Sequence, residues 1–207
     1  YYYIGVNNIW LIVGGIFSAL EPLAFLAMAL FAVYMYRKGE RNHPNKLALF
    51  WTVGASIVSF VGAGLLGFAH TLPQTNLYTH GTLVTAMHGH MAFWGAYAMI
   101  VLAIISYALP NLTGRKRYDN LTGHAAFWVA NIGMIGMTVA FGVAGVAQVY
   151  MERKMKMEFM EVQNEISIHF VVLIIMASLF TAGIIMYIME FVKYGQPTDE
   201  ALEPNND

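Results

Sequence analysis

Two histidines separated by one glycine, His88 and His90, lie in the apolar segment THGTLVTAMHGHMAFWGAYAMI (79–100). Neutral imidazole is a good ligand for haem iron, and a polar group at membrane depth needs a partner or a function. A spacing of two residues puts the side chains roughly 200° apart around a helix. This spacing suits two cofactors on opposite flanks of one helix, each taking one imidazole. A single histidine there would more often hydrogen-bond a neighbouring helix, but two on opposed faces favour ligation.

A carboxylate, Glu21, lies in another apolar segment, FSALEPLAF (17–25). Exposing a carboxylate to lipid is costly, so Glu21 is expected to face the bundle interior or water and is a candidate proton relay. Ser18 falls on the same helix face one turn earlier and extends a possible hydrogen-bonded path. Pro22 frees a backbone carbonyl, so the alternative is a protonated Glu21 bonded to that oxygen.

The elements that must position these groups are membrane helices. The chain has 207 residues, of which 58% are hydrophobic and only 11% charged, unlike an ordinary soluble domain. Five apolar stretches reach the roughly 20 residues that a helix needs to cross a bilayer. We predict an all-α polytopic membrane protein, a single transmembrane bundle over 1–207 with a polar tail at 195–207. The predicted helices are 8–36, 46–70, 80–109, 121–150 and 166–192.

Composition also excludes several kinds of site and partner. The chain has no cysteine, which excludes thiolate metal sites and the CxxCH attachment of a c-type haem. Its 11 basic and 12 acidic residues are nearly balanced, and nothing in the totals suggests a nucleic-acid partner. The remaining histidines are interpreted as interfacial or capping residues; they are His43, His70, His124 and His169.

The distribution of basic residues predicts the orientation in the membrane. One side carries eight lysines and arginines and the other side three. By the positive-inside rule the richer side is cytoplasmic, which leaves residue 1 outside and the C-terminus inside. The eight are Arg37, Lys38, Arg41, Lys46, Arg115, Lys116, Arg117 and Lys193, and the three are Arg153, Lys154 and Lys156.

The segment 79–100, together with FSALEPLAF and LLGFAHTLP (65–73), resembles the large (cytochrome b) subunit of bacterial nitric-oxide reductase, a branch of the haem–copper oxidase superfamily. The resemblance covers nearly the whole chain and corresponds to the last five of that subunit's twelve helices. It implies that His88 is the proximal ligand of the high-spin haem b3 and that His90 is one axial ligand of the low-spin haem b.

The resemblance also implies roles for several polar residues. Glu21 matches a glutamate near the binuclear centre of haem b3 and non-haem iron, where two NO molecules are reduced to N2O and water. Ser18 and Thr71 match polar residues of the same region. His80 matches a position linked to proton entry or haem-propionate contacts. Capping or loop hydrogen bonds are the alternative for Ser18, Thr71 and His80.

Several parts of the family's machinery have no counterpart here. The resemblance implies that the non-haem iron ligands, three histidines and a glutamate, lie outside this chain, as does the second ligand of the low-spin haem. Activity would then require the N-terminal part of the same subunit. The implied partners are a membrane-anchored cytochrome c subunit as electron donor, with a quinol-fed relative as the alternative, nitric oxide as substrate and membrane lipid. The implied location is the bacterial cytoplasmic membrane, with residue 1 on the periplasmic side.

Two other functions remain open on the sequence. An oxygen-reducing haem–copper oxidase shares the His-x-His helix, but its common type carries a lysine in the helix that corresponds to 8–36, where this chain has Glu21 and no lysine before Lys38. Copper in place of non-haem iron would identify such an oxidase. A haem-free, proton-coupled transporter segment would lack a Soret band.

Overall fold

The computed structural model describes residues 7–39, 45–114 and 121–193, and these ranges are helical with no β-strand among them. The helices are α1 (Asn8–Lys38), α2 (Lys46–Ser59, a π-helical turn Phe60–Leu65, and Leu66–Thr71), α3 (Pro73–Thr79), α4 (Leu83–Phe93, a π-helical turn Trp94–Ala98, and Met99–Thr113), α5 (Leu121–Val149 and a π-helical turn Tyr150–Lys154), α6 (Phe159–Glu165) and α7 (Ser167–Lys193). Within the described ranges, α1, α2, α4, α5 and α7 are long and apolar enough to cross a membrane. The predicted all-α polytopic architecture is confirmed.

Several helix ends differ from the sequence prediction: α4 ends at Thr113 and not at 109, and α5 ends at Lys154 and not at 150. Helix α4 begins at Leu83 and not near residue 80, because the Thr82 hydroxyl accepts from Val84 N–H and Gln148 Oε1 of α5 accepts from Leu83 N–H at 2.9 Å. Two of the polar segments that connect the predicted spanning helices contain short helices, α3 in one and α6 in the other. The polar tail at 195–207, His43 and the basic run at 115–117 lie outside the described residues.

Successive membrane helices cross at glycines and run antiparallel. A Cβ atom on Gly62 of α2 would lie 2.6 Å from the carbonyl carbon of Met91 in α4. In the same way Gly145 of α5 abuts the Val84 backbone of α4, and Gly183 of α7 abuts the backbone of Ala130 in α5. Small residues at these positions let the helix backbones approach closely, as expected for helix packing in lipid.

An aromatic core joins α2, α4, α5 and α7. The Trp51 side chain is fully buried and makes edge-to-face contacts with the rings of Phe127, Trp94 and Tyr187, with centroids 5.0, 6.1 and 5.5 Å apart. Trp94 Nε1 also donates to Asn131 Oδ1 at 3.1 Å, and both residues are buried. Helix α1 lies at the edge of this bundle and packs against the second half of α2. The core therefore fixes α4, the helix that carries both site histidines.

Candidate functional site

The His88 imidazole is anchored to α2 by a hydrogen bond. Its Nδ1 lies 2.8 Å from the carbonyl oxygen of Gly62, across the contact between the two helices. Because a carbonyl oxygen only accepts, Nδ1 carries the proton and Nε2 carries the lone pair. This is the arrangement in which a histidine binds a metal through Nε2 while its other nitrogen is held by a backbone oxygen.

The π-helical turn Phe60–Leu65 explains why the Gly62 carbonyl reaches His88. Within it, Leu66 N–H donates to the carbonyl of Val61, five residues back. A π turn contains one additional residue. The residues after it are therefore rotated about the helix axis by roughly 100°, the angle of one residue in an α-helix. Gly62 and His70, eight residues apart, are thereby brought toward one face of α2. Because Gly62 has no side chain, α4 can approach closely enough for the hydrogen bond.

A second imidazole lies against His88. The rings of His70 and His88 are stacked, with centroids 5.0 Å apart and planes inclined by 24°. Gly67, one turn before His70, leaves room for the ring, since a Cβ there would lie 3.3 Å from Cε1 of His88. His70 does lie at a helix end, as expected, but its ring contact makes it part of the site.

The His90 imidazole faces the opposite flank of α4. Its Nδ1 lies 2.8 Å from the Ala86 carbonyl one turn earlier, so Nδ1 donates and Nε2 again carries the lone pair. The ring lies beside Phe141 of α5, with centroids 4.8 Å apart and planes inclined by 31°. The two imidazoles thus contact different neighbouring helices, as the two-residue spacing predicts.

An open groove of about 570 Å³ lies beside His90. Its lining is almost entirely apolar and comes from α4, α5 and α7; it consists of Ala86, Gly89, His90, Phe93, Trp94, Ala98, Met134 and Phe180. Nothing lies within 4 Å of the position that a Cβ on Gly89 would take. A flat apolar cofactor with a metal at its centre fits both the lining and the single exposed imidazole.

The histidines of the described residues can each supply one ligand to a metal, but they do not form a multidentate site. Among those residues, no three His, Asp or Glu side chains converge in a way that would hold an ion. His88 and His90 diverge, and His70 meets His88 by ring stacking. The donor chemistry therefore fits a cofactor that brings its own equatorial ligands and takes one axial imidazole from the protein, which is how a haem binds.

The residues expected on a proton path lie near the α1–α2 contact. Ser18 is half-buried on α1, and a Cβ on the neighbouring Gly15 would lie 3.5 Å from the carbonyl oxygen of Thr71 at the end of α2. The Thr71 hydroxyl donates to the Phe68 carbonyl at 2.7 Å. Glu21 belongs to α1 and precedes Pro22, which packs near Gly64 of α2, but its side chain lies outside the described part of the structure.

His80 lies at the same end of the bundle, between α3 and α4. It is exposed, and its backbone carbonyl accepts from Arg153 of the π-helical turn that ends α5, at 3.5 Å. Gln148 of the same helix bridges Leu83 N–H and the Glu152 carboxylate. These contacts fix the start of α4, five residues before His88. The structure does not bring the His80 side chain to either site histidine.

Sequence reasoning missed three residues of the site: Gly62, His70 and Phe141. Their contacts with His88 and His90 depend on the register between helices and on a π turn, and neither has a pattern in the sequence. Two further histidines of the described residues, His124 and His169, have their ring contacts elsewhere. His124 contacts Phe50 edge-to-face, and His169 Nδ1 donates to the Ile166 carbonyl at the start of α7.

Comparison with known proteins gives two findings. Residues 1–192 match the family described as cytochrome c and quinol oxidase polypeptide I. The chain is also 42% identical over 204 residues to a nitric oxide reductase subunit from Stutzerimonas stutzeri, an alignment that covers 95% of this chain and 43% of that protein. The chain therefore spans less than half the length of this relative.

Proposed function

The chain belongs to the cytochrome c and quinol oxidase polypeptide I family, and from that membership we propose that it is the haem-ligating portion of a nitric-oxide reductase. The proposed reaction converts two NO, two electrons and two protons into N2O and water. Its relative from Stutzerimonas stutzeri is a nitric oxide reductase subunit, and 42% identity over 95% of this chain supports the same chemistry here.

The observation that carries the proposal is the opposed pair of imidazoles on α4. Each donates from Nδ1 to a backbone carbonyl at 2.8 Å, so each presents Nε2 as a ligand atom. They lie on different flanks of one helix, one against α2 and the other against α5. Two haems held on either side of one helix are positioned for electron transfer between them.

We assign different roles to the two ligands. His90, beside the open apolar groove, would hold the low-spin haem b. His88 would hold the high-spin haem b3, and a non-haem iron with ligands outside this chain would complete the reaction centre. When bound, the haems supply one-electron redox chemistry and an iron position open to NO. The chain's own contribution is to fix the tautomer, direction and depth of both imidazoles.

Proton delivery is the proposed role of the residues at the α1–α2 contact. Glu21 is the proton donor near the binuclear centre, and Ser18 and Thr71 continue the path toward the bundle end where His80 lies. This assignment rests on the position of α1 beside the end of α2 and on the cost of placing a carboxylate in lipid.

The proposed setting is the bacterial cytoplasmic membrane. The distribution of basic residues supports an orientation with the Lys38 end of α1 on the cytoplasmic side and the start of α4 on the periplasmic side. The proposed partners are the N-terminal part of the same subunit and a membrane-anchored cytochrome c subunit, which delivers electrons from the periplasmic side.

The test is metal analysis with optical and EPR spectra of the intact complex purified from membranes, together with gas analysis of NO turnover. We expect two b-type haems and one non-haem iron per subunit, with N2O formed from NO. Copper with oxygen reduction would instead identify an oxidase, the activity in the family's own description. A complex with no Soret band would exclude both and leave a proton-coupled transporter.

A further inference from the structure

His70 is a half-buried histidine whose ring lies against the proposed ligand of haem b3. It contacts His88 face to face, with centroids 5.0 Å apart and planes inclined by only 24°. The family resemblance gives this residue no role. The contact joins the end of α2 to the middle of α4, two elements that also meet at Gly62 and Met91.

The His70 residue is held in place at both its ring and its backbone. Its Nδ1 donates to the Leu66 carbonyl at 2.8 Å, within the last turn of α2. Its own carbonyl accepts from Nδ2 of Asn76 at 2.8 Å, and Asn76 is buried in α3. Because these bonds fix the junction between α2 and α3, the ring is a stationary flat surface against His88.

The hydrogen bond from His88 to Gly62 leaves one motion of the His88 imidazole unrestrained. It fixes the position of Nδ1 but permits the ring to rock about the line between Nδ1 and the carbonyl oxygen. A flat ring stacked on one face blocks that rotation, because offset stacking favours nearly parallel planes. Gly67 adds no side chain that would push the ring aside.

We propose that His70 is a positioning residue that sets the plane of the His88 imidazole at the bound haem iron. This inference rests on the proposed function, because it takes His88 as the axial ligand. The property of His70 that matters is its flat ring, which packing in this half-buried position holds against His88 even without the hydrogen bond to Leu66. Phenylalanine should therefore replace it and alanine should not.

The experiment compares His70→Phe, His70→Ala and His70→Leu in the intact complex. The readouts are the iron–histidine stretching band of the reduced high-spin haem and the fraction of that haem retained on extensive dilution in detergent. The low-spin haem bound by His90 is the internal reference. His169→Ala is the matched control, since the His169 imidazole bonds within its own turn, to the Ile166 carbonyl.

We expect His70→Phe and His169→Ala to keep the wild-type band. His70→Ala and His70→Leu should broaden and shift it, and should lower the affinity for the high-spin haem by roughly tenfold, as loss of an outer-shell contact to a metal ligand does. Leucine fills the space of the ring but has no flat face. If His70→Leu and His70→Ala shift the band equally, the effect comes from lost ring stacking and not from lost volume. The low-spin haem spectrum should stay unchanged in all variants.

Two results would overturn the inference while leaving the proposed function intact. One is a wild-type band in His70→Ala, and the other is an equal shift in His70→Phe and His70→Ala, which would assign the effect to the nitrogen. If the wild-type complex itself shows no histidine-ligated high-spin haem, the proposed function fails, and the assignment of His70 fails with it.

Discussion

Nδ1 of His88 lies 2.8 Å from the carbonyl oxygen of Gly62, a residue 26 positions earlier in the chain and on a different helix. This bond depends on a π turn in α2 and on a glycine at the closest approach of α2 and α4. The direction of the imidazole on α4 is therefore set by the backbone of α2. His90 is held differently, by a carbonyl of its own helix. The direction of the His88 imidazole thus depends on the contact between α2 and α4, while that of His90 does not.

Substitution should separate the roles of the two proposed haem ligands, His88 and His90. We expect His88→Ala to remove the high-spin haem signal and abolish NO turnover while the low-spin spectrum remains. His90→Ala should remove the low-spin haem and block electron entry. Optical and EPR spectra of the purified complex measure both. His169→Ala should behave as wild type, and a retained high-spin signal in His88→Ala would disprove its role as ligand.

The close contact at Gly62 predicts that alanine is tolerated much less well there than at Gly64 in the same π turn. A Cβ on Gly62 would lie 2.6 Å and 2.7 Å from backbone atoms of Met91 and Ala92, so Gly62→Ala must separate α2 from α4. Overpacking of this kind costs about 1–3 kcal/mol, and here it also lengthens the His88 hydrogen bond. We expect a lower temperature of complex dissociation and weaker binding of the high-spin haem.

Gly64→Ala is the matched control for Gly62→Ala. Its Cβ would lie 3.4 Å from the Pro22 side chain, an ordinary contact, so we expect little change. Equal effects of the two substitutions on the high-spin haem would contradict the role assigned to the Gly62 carbonyl.

Much of the fold follows from the sequence, but the support of the site does not. Length and hydropathy predict the five spanning helices, since each must satisfy its own backbone in lipid. Spacing alone predicts that His88 and His90 point apart. The contacts of Gly62, His70 and Phe141 depend on which residues of two packed helices lie opposite each other. A shift of one residue in the register between the helices would replace all three contacts. The π turn at 60–65 packs against α4, and no local pattern in the sequence predicts it.

The buried hydrogen bond between Trp94 and Asn131 should stabilise the α4–α5 contact. Trp94 Nε1 donates to Asn131 Oδ1 at 3.1 Å, and Asn131 Nδ2 donates to the Phe127 carbonyl at 2.8 Å. Trp94→Phe leaves a buried acceptor without its donor, at a cost of about 1–3 kcal/mol. Thermal unfolding in detergent measures this loss.

A double-mutant cycle isolates the Trp94–Asn131 pair. We expect Trp94→Phe combined with Asn131→Leu to cost less than the sum of the single changes, by about 0.5–3 kcal/mol. Trp128→Phe, on the exposed face of α5, should have little effect. Strict additivity of the two substitutions would show that the pair is not coupled.

The assignment of Glu21 as a proton donor predicts a loss of turnover without a loss of haem. Glutamine has the shape of glutamic acid and keeps its capacity for hydrogen bonds, but it does not release a proton. If Glu21 delivers protons to the NO-reducing centre, Glu21→Gln should lower turnover by about 10²–10⁴-fold, the usual contribution of a positioned acid or base. Both haem spectra should match the wild type, because the substitution leaves His88 and His90 in place. Glu161→Gln on the exposed face of α6 is the control and should retain full activity. Wild-type turnover in Glu21→Gln would instead support the alternative in which a protonated Glu21 only bonds the carbonyl freed by Pro22.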